Sequence, residues 1–157
     1  MKHTLNDYVK LLGENGLVTK LSLNVPSVTV ENVTYNSKES GKNTLFICKG
    51  AHFKEEYLTD ALSAGAVCYL SETEYAAEAD HILVSDIRRA MALIFDYFYD
   101  SVWKNIDLIG ITGTKGKSTT TYFIKYILDE YLHSEQKPSA AYISSIDTYD
   151  GKEKFES

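Results

Sequence analysis

The sequence has few of the residues that mark secreted, metal-binding or disulfide-stabilised proteins. Its 157 residues include two cysteines and four histidines. Cys48 and Cys68 lie in apolar runs, with no CxxC partner and no nearby histidine, so we expect both to be reduced thiols in the core of a cytosolic protein. The histidines are scattered along the chain. The sequence therefore predicts no metal cluster.

Long hydrophobic runs and an excess of positive charge are also absent. No apolar stretch approaches the ~20 residues that a membrane-spanning helix needs, and the amphipathic N-terminus lacks the apolar core of a signal peptide. The formal net charge is -6 and the sequence pI is about 5.2, whereas a generic nucleic-acid binder carries a basic face. We therefore expect a cytoplasmic protein that neither binds nucleic acid nor inserts into a membrane.

What is present is the composition of a globular α/β protein, with 44% hydrophobic and 24% charged residues. Thr4 is predicted to begin a first helix and Asp86 a later one, because both precede amphipathic runs and both side chains can cap a helix. Strands and helices alternate up to about residue 100, which indicates a compact α/β domain. The predicted strands are around 28–35 and at 44–49, 66–70 and 81–85, and the predicted helices are 5–12, 55–64 and 87–100.

A second unit is predicted to begin at Ile106. A strand should run into a glycine loop, followed by a helix from about Lys117 to Leu132 and a further strand in AAYIS (140–144). This order is typical of the start of a doubly wound domain. It stops after one crossover, which leaves sheet edges and apolar faces uncovered, so we expect a fragment or a part that a partner covers. The predicted domains are 1–104 and 105–157.

The glycine loop, GITGTKGKST at 110–119, has the composition of a phosphate-binding turn. Gly113 and Gly116 allow backbone N–H groups to point inward, and the following helix adds its positive N-terminal end. Lys117 can reach the β and γ phosphates of a nucleotide, the Ser118 hydroxyl can ligate Mg²⁺, and Thr119 can add a contact. The loop therefore predicts a nucleotide site in which Lys117 contacts the phosphates.

The loop departs from the common pattern G-x-x-x-x-G-K-[ST]. Counting back from Gly116, the first glycine of that pattern falls at Ile111; Gly110 is one position too early and Gly113 is too late. The phosphate cradle is therefore shorter than usual. A Gly/Ser/Thr/Lys-rich turn without a ligand is the alternative, but a strand before the loop and a helix after it favour the nucleotide site.

The stretch Gly110–Thr119 resembles the ATP-binding loop of the Mur ligases, the cytoplasmic enzymes that add amino acids to the peptidoglycan precursor. Four further stretches extend the resemblance over nearly the whole chain. TYNSKE (34–39) resembles the D-S-R segment of the MurE branch, and NTLFICKGAHFKEEYLTDALSAGAV (43–67) its nucleotide-sugar-binding strand, loop and helix. VSDIRRAMALIFDYFY (84–99) resembles its domain-closing helix. ISSIDTYDG (143–151) resembles the segment before the substrate-binding Thr-Thr-Pro of the family.

The resemblance implies a three-domain enzyme, of which 1–104 is the UDP-sugar-binding domain and 105–157 the truncated start of the central, P-loop-type ATPase domain. The resemblance also implies a mechanism. ATP would phosphorylate a carboxylate of UDP-N-acetylmuramoyl-L-Ala-D-Glu, and the amine of an incoming amino acid would displace the phosphate. Lys117 would be the catalytic residue, because with Mg²⁺ it would neutralise charge on the γ-phosphate. The chain would lack the rest of the central domain and the C-terminal domain, so it should be inactive alone. The resemblance does not decide which amino acid is added, so lysine, diaminopimelate and other acceptors remain alternatives.

The same resemblance assigns residues to the two sites. Lys38 stands where the family has arginine, which weakens any bidentate contact. An exposed turn is the alternative for Ser37 and Lys38, and a solvated loop histidine is the alternative for His52. The ATP set is Gly113, Thr114, Lys115, Gly116, Lys117, Ser118 and Thr119, with Ser118 also on Mg²⁺ through its hydroxyl; the UDP set is Ser37, Lys38, Lys49, Gly50, Ala51, His52 and Phe53.

Three other functions compete with a ligase. A small kinase or another P-loop NTPase would need a full-length cradle and an apolar run ending in aspartate, and no such run follows residue 120. A non-catalytic module that binds a UDP-sugar or a nucleotide is not excluded by the residues. A purely structural interaction domain is disfavoured most directly by the glycine loop.

Overall fold

The computed structural model of this chain describes residues 3–50 and 53–156, and these residues form two compact units. The first unit ends at Ile106 and the second begins at Asp107. The helices are α1 Leu5–Glu14, α2 Glu55–Ser63, α3 Ile87–Phe98 and α4 Lys117–Ser134, with 3-10 turns at Ser37–Glu39 and Val102–Asn105. The strands are β1 Val18–Ser22, β2 Asn32–Thr34, β3 Thr44–Ile47, β4 Ala66–Ser71, β5 His81–Val84, β6 Tyr142–Ile143, β7 Asp147–Tyr149 and β8 Lys154–Glu156.

The first unit is built on a five-stranded sheet with the order β1-β5-β4-β3-β2. Strands β2, β3, β4 and β5 run parallel, and β1 joins β5 at the edge in the antiparallel direction. Parallel neighbours put their carboxyl ends at one edge of the sheet, where ligands of open α/β sheets bind. The predicted α/β fold class is confirmed.

Helices cover both faces of this sheet. Successive side chains of a strand point to opposite faces. Leu45 and Ile47 of β3 pack with residues of α1 and α3. Phe46 and Cys48 pack on the other side, with Leu58 of α2. The near-continuous apolar runs of the central strands are therefore explained by burial on two sides.

The helix boundaries follow from local signals in the sequence. At α1, the backbone N–H of Thr4 donates to the Asp7 carboxylate at 2.7 Å, the return half of a capping box. At α3, the Asp86 carboxylate accepts hydrogen bonds from the backbone N–H groups of Arg88 and Arg89, both at 3.0 Å. Gly65 ends the α2 region with a φ of +111°. The three helices predicted for this unit are confirmed.

Strand prediction was less complete than helix prediction. The strands expected at 44–49, 66–70 and 81–85 are confirmed by β3, β4 and β5, and the expectation around 28–35 is met only by β2. Strand β1 was not predicted. Four of its five residues are exposed, so it lacks the alternating burial that gives a strand its sequence pattern.

The second unit contains one long helix and a small sheet. The predicted helix from Lys117 is confirmed and extends to Ser134. Of the strand predicted in AAYIS, Tyr142–Ile143 is confirmed as β6, but it pairs antiparallel with β7, which in turn pairs antiparallel with β8. A parallel strand pair around α4 is not formed among the described residues.

The strand predicted from Ile106 into the glycine loop is wrong for this structure. Residues 107–113 have no regular secondary structure, and the side chains of Leu108 and Ile109 are 68% and 59% exposed. A strand is stable only when a neighbouring strand satisfies its backbone groups. The three strands of this unit in the described chain pair with one another instead and offer this segment no partner.

In the part of the chain that the structure describes, no helix combines the length and the apolar character needed to cross a membrane.

Candidate functional site

The glycine loop brings its predicted residues together at the N-terminus of α4. Gly116 is the N-cap of the helix and has a φ of +78°, and Gly113 has a φ of +153°. Positive φ is unfavourable for residues with a Cβ, so both positions require glycine. The Lys117 Nζ donates to the Gly113 carbonyl oxygen at 2.8 Å. The lysine side chain is exposed, but its ammonium bends back over the loop.

In the described part of the chain, no side chain caps the backbone donors at the start of α4. The first N–H groups of any helix have no partner within the helix, and no side chain caps α4 at Gly116. By contrast, α3 has Asp86 in that role. A group with negative oxygens would satisfy these donors and would interact favourably with the helix dipole. The loop therefore fits a phosphate, although its first glycine is displaced from the common pattern.

A metal ion would find one of its ligands here. Ser118 is the second residue of α4 and is half-buried, which places it in the first turn, at the uncapped N-terminus. Among the described residues no group of three or more His, Cys, Asp or Glu side chains could hold a metal ion. The donors in this chain therefore fit Mg²⁺ only as a partner of bound phosphates and water, with Ser118 as one oxygen ligand.

Asp147 fixes the small sheet to α4, and it was not predicted as important from the sequence. Its carboxylate accepts a hydrogen bond from the Tyr122 hydroxyl at 2.6 Å and forms an ion pair with Lys154. The side chain is 5% exposed. Its bond to Lys154, followed by that to Tyr122, lowers the pKa of Asp147 below its ordinary value. Burial, followed by the bond to Asp147, raises the pKa of the neighbouring Tyr142 to about 12.

In the first unit, the predicted UDP-binding residues follow the carboxyl ends of two neighbouring parallel strands. Ser37 and Lys38 lie in the 3-10 turn after β2, and Lys49 and Gly50 follow β3. Their placement at one sheet edge is that of ligand sites in open α/β sheets. Ala51 and His52 lie outside the described residues.

The turn after β2 is held by side chains of its own segment. Asn36 Oδ1 accepts a hydrogen bond from the Lys38 N–H at 3.2 Å, and Asn36 Nδ2 donates to the Glu39 carboxylate at 3.0 Å. The same carboxylate accepts a bond from the Thr34 hydroxyl at 3.1 Å. Asn36 therefore shapes the turn that presents Ser37 and Lys38. Glu39 was missed by the sequence reasoning, although it lies inside the quoted TYNSKE segment.

The two loops approach each other through Lys49 and Tyr35. The Lys49 Nζ lies 5.7 Å from the centre of the Tyr35 ring, within cation–π range. Gly50 has a φ of +121°, and its carbonyl accepts a bond from the Phe53 N–H at 3.1 Å. The Phe53 ring packs 5.4 Å from the Tyr75 ring. Phe53 therefore anchors the loop to the core, while Lys49 and Gly50 remain at the edge.

The chain resembles known proteins in both sequence and structure. No protein-family model matches the chain. It is 41% identical over 147 residues to the UDP-N-acetylmuramyl-tripeptide synthetase of Ligilactobacillus salivarius, which covers 92% of this chain and 28% of that protein. It is 45% identical over 127 residues to the UDP-N-acetylmuramoyl-L-alanyl-D-glutamate--L-lysine ligase of Enterococcus faecalis, which covers 80% of this chain and 24% of that protein.

Solved structures give the same fold at lower sequence identity. A UDP-N-acetylmuramoyl-L-alanyl-D-glutamate--2,6-diaminopimelate ligase matches 95% of this chain with a TM-score of 0.62 and 18% identity, over 29% of its own length. At such identity the match supports the fold alone. The chain spans about a quarter of the length of the curated relatives that it matches.

Proposed function

Since the chain belongs to the Mur ligase family, we propose that the complete protein is an ATP-dependent ligase of the MurE type. The proposed reaction joins an amino acid to UDP-N-acetylmuramoyl-L-Ala-D-Glu through an acyl-phosphate intermediate. The support is the identity of 41–45% to curated proteins named as tripeptide synthetases or lysine ligases. Because the chain spans about a quarter of those proteins, the activity belongs to the complete protein and not to these 157 residues.

The observation that carries the proposal is the uncapped N-terminus of α4 behind the glycine loop. The loop offers backbone N–H groups and one lysine ammonium to the same small region. A nucleotide triphosphate supplies the phosphate oxygens that such donors bind. Lys117 would exchange its bond to the Gly113 carbonyl for one to the γ-phosphate. It would stabilise the negative charge that develops there, which is an electrostatic role.

The remaining loop residues have supporting parts in this proposal. Gly113 and Gly116 give the backbone its positive φ angles, and Thr114, Lys115 and Thr119 would add contacts to the phosphates. Ser118 would donate its hydroxyl oxygen to a Mg²⁺ ion that the nucleotide brings with it. When bound, ATP would supply the phosphoryl group that activates the substrate carboxylate.

The proposed UDP site is the edge formed by the loops after β2 and β3. Ser37 and Lys38 are presented by the Asn36 turn, and Lys49 of the neighbouring loop lies over the ring of Tyr35, which precedes that turn. Hydroxyl, ammonium and backbone N–H groups at one edge suit a diphosphate and a pyrimidine base. We include Ala51, His52 and Phe53 in the site as the family resemblance does, with Phe53 in the packing role that its ring contacts support.

For the acceptor we propose L-lysine as the first candidate, because curated relatives from Enterococcus and Streptococcus carry that amino acid in their names. Diaminopimelate is the alternative to test beside it. A cytoplasmic location belongs to the same proposal. It is supported by two free, buried cysteines, which suit a reducing compartment.

The experiment that tests the proposal measures phosphate release by the complete protein. ATP, UDP-N-acetylmuramoyl-L-Ala-D-Glu and L-lysine should together give steady release, and omission of any one should reduce it to background. Replacing lysine by diaminopimelate tests the acceptor. The 157-residue chain, given the same mixture, should release no phosphate above background. Absence of release by the complete protein with every amino acid tried would contradict the ligase proposal, and steady release by the short chain would contradict its dependence on the remaining length.

A further inference from the structure

The segment that follows α3 is fastened to that helix by Asp96. One carboxylate oxygen, Oδ2, accepts a hydrogen bond from the Ser101 hydroxyl at 2.9 Å. The other, Oδ1, accepts one from the Trp103 indole N–H at 2.6 Å. The Asp96 backbone carbonyl accepts a third bond, from the Ser101 N–H at 2.8 Å. Asp96 therefore holds residues five and seven positions farther along the chain. We call residues 99–105 the elbow.

The backbone of the elbow adopts a conformation that needs such support. Asp100 and Ser101 have φ values of +52° and +50°, in the left-handed region that disfavours residues with a Cβ. Two such residues in succession persist only where their surroundings determine the conformation. The Val102 N–H continues the turn with a bond to the Tyr99 carbonyl at 3.2 Å, and the Lys104 N–H bonds the Ser101 carbonyl at 3.0 Å.

The N-terminal segment holds the elbow from a second side. The His3 Nε2 lies 3.0 Å from Asp100 Oδ1, and the His3 side chain is 12% exposed. Its ring lies over the Tyr97 ring with 3.9 Å between the ring centres. Tyr97 in turn contacts the buried ring of Tyr8 in α1, at 5.5 Å. The elbow is thereby tied to two helices of the first unit and not to α3 alone.

The chain beyond the elbow has a different character. Residues 107–112 have no regular secondary structure and all but Ile111 are exposed. Among the described residues, this stretch makes no hydrogen bond to the rest of the chain. We propose that the elbow is a rigid extension of α3, fastened through both carboxylate oxygens of Asp96, so that residues 99–105 move with the first unit and backbone flexibility begins C-terminal to Asn105. The elbow is inferred from contacts inside the first unit and stands whether or not the complete protein is a ligase.

The single tryptophan of the sequence makes the elbow directly observable. In the 157-residue chain, the fluorescence anisotropy of Trp103 should decay mainly with overall tumbling. The amide protons of Val102 and Lys104 should exchange more slowly than those of residues 107–112. The Asp96→Ala change removes both carboxylate bonds. It should raise the amplitude of the subnanosecond anisotropy component about twofold, and it should accelerate exchange at Val102 and Lys104 by on the order of tenfold.

Two further variants make the test specific. Asp107→Asn neutralises an exposed carboxylate just beyond the elbow and should leave both readouts at their wild-type values. Trp103→Phe keeps an aromatic ring without the indole donor and should accelerate exchange at Val102 and Lys104, which tests the elbow even if circular dichroism shows that Asp96→Ala is unfolded. A wild-type Trp103 with dominant subnanosecond motion would overturn the proposal. Exchange at Val102 and Lys104 that neither Asp96→Ala nor Trp103→Phe changes would overturn it as well.

Discussion

At the scale of single residues, buried carboxylates hold loops that have little regular structure of their own. Asp80 is 6% exposed and accepts bonds from the backbone N–H groups of Asn24 and Val25. Asp147 connects α4 to the small sheet, because its carboxylate accepts a bond from Tyr122 of α4 and pairs with Lys154 of β8. Each carboxylate replaces its hydration by several donors, which is the condition under which burial of a charge is tolerated.

Asp147 leads to a prediction about acid. Its pKa is lowered in the folded chain, first by Lys154 and then by Tyr122. The ionised form is therefore favoured by folding, and its contribution is complete above the ordinary aspartate pKa and is lost as pH falls through the lowered value. We expect the near-ultraviolet circular dichroism of the tyrosines around Asp147 to be steady above pH 5 and to weaken below about pH 4.

The matched variants for this prediction are Asp147→Asn and Asp107→Asn. The first removes the titrating group from the buried network and should flatten the acid dependence while weakening the signal at neutral pH. The second neutralises an exposed carboxylate and should leave the acid dependence unchanged. An acid transition that persists unchanged in Asp147→Asn would show that another group produces it.

Residue-scale prediction from the sequence succeeded where the signal is local. Thr4, Gly65 and Asp86 were assigned to helix ends because their partners lie within a few residues. Asp147 and Asp96 could not be found in that way. Tyr122 precedes Asp147 by 25 positions, and the bond from Trp103 to Asp96 depends on two left-handed residues that no sequence pattern announces.

At the scale of elements, the loops after the parallel strands β2 and β3 carry the candidate UDP site, and the N-terminus of α4 carries the candidate phosphate site. The central strands were predictable because burial on both faces gives continuous apolar runs. Strand β1 was missed because it is largely exposed. The apolar segment at 106–111 was predicted to be a strand, which it does not form. An apolar run indicates burial, but it does not reveal whether a neighbouring strand is available for pairing.

The loops after β2 and β3 give a prediction about UDP. Titration of the isotope-labelled 157-residue chain with UDP should shift the amide signals of Ser37, Lys38 and Gly50, since these lie at the shared carboxyl edge of the two strands. Ser37→Ala should weaken binding by about tenfold or less, the effect of one lost hydrogen bond. Pyrophosphate is the control for binding by the diphosphate alone. Shifts confined to the surroundings of Gly113 would contradict the assignment of this edge to UDP.

At the scale of the whole molecule, the chain contains two units whose proposed roles are complementary. The first unit carries the edge assigned to UDP, and the second carries the glycine loop assigned to ATP. The curated relatives are about four times as long as the part they share with this chain. The exposed apolar side chains of α4, such as Phe123 and Ile127 at 66% and 69%, contrast with the covered faces of the first unit.

The most direct test of the central claim is the Lys117→Ala change in the complete protein, measured by ATP-dependent ligation and by thermal melting. Lys117 is exposed and contacts only its own loop in the described structure, so its loss should change the free energy of unfolding by less than about 1 kcal/mol. Its ammonium is assigned to the charge that develops on the γ-phosphate, and loss of one such contact costs on the order of a hundredfold or more in rate.

The control is Lys152→Ala, which alters an exposed lysine of the β7–β8 turn and should leave both measurements unchanged. The account predicts a loss of ligation by Lys117→Ala at an unchanged melting temperature. Near-normal ligation at that melting temperature would mean that the GTKGKST loop is not the ATP site.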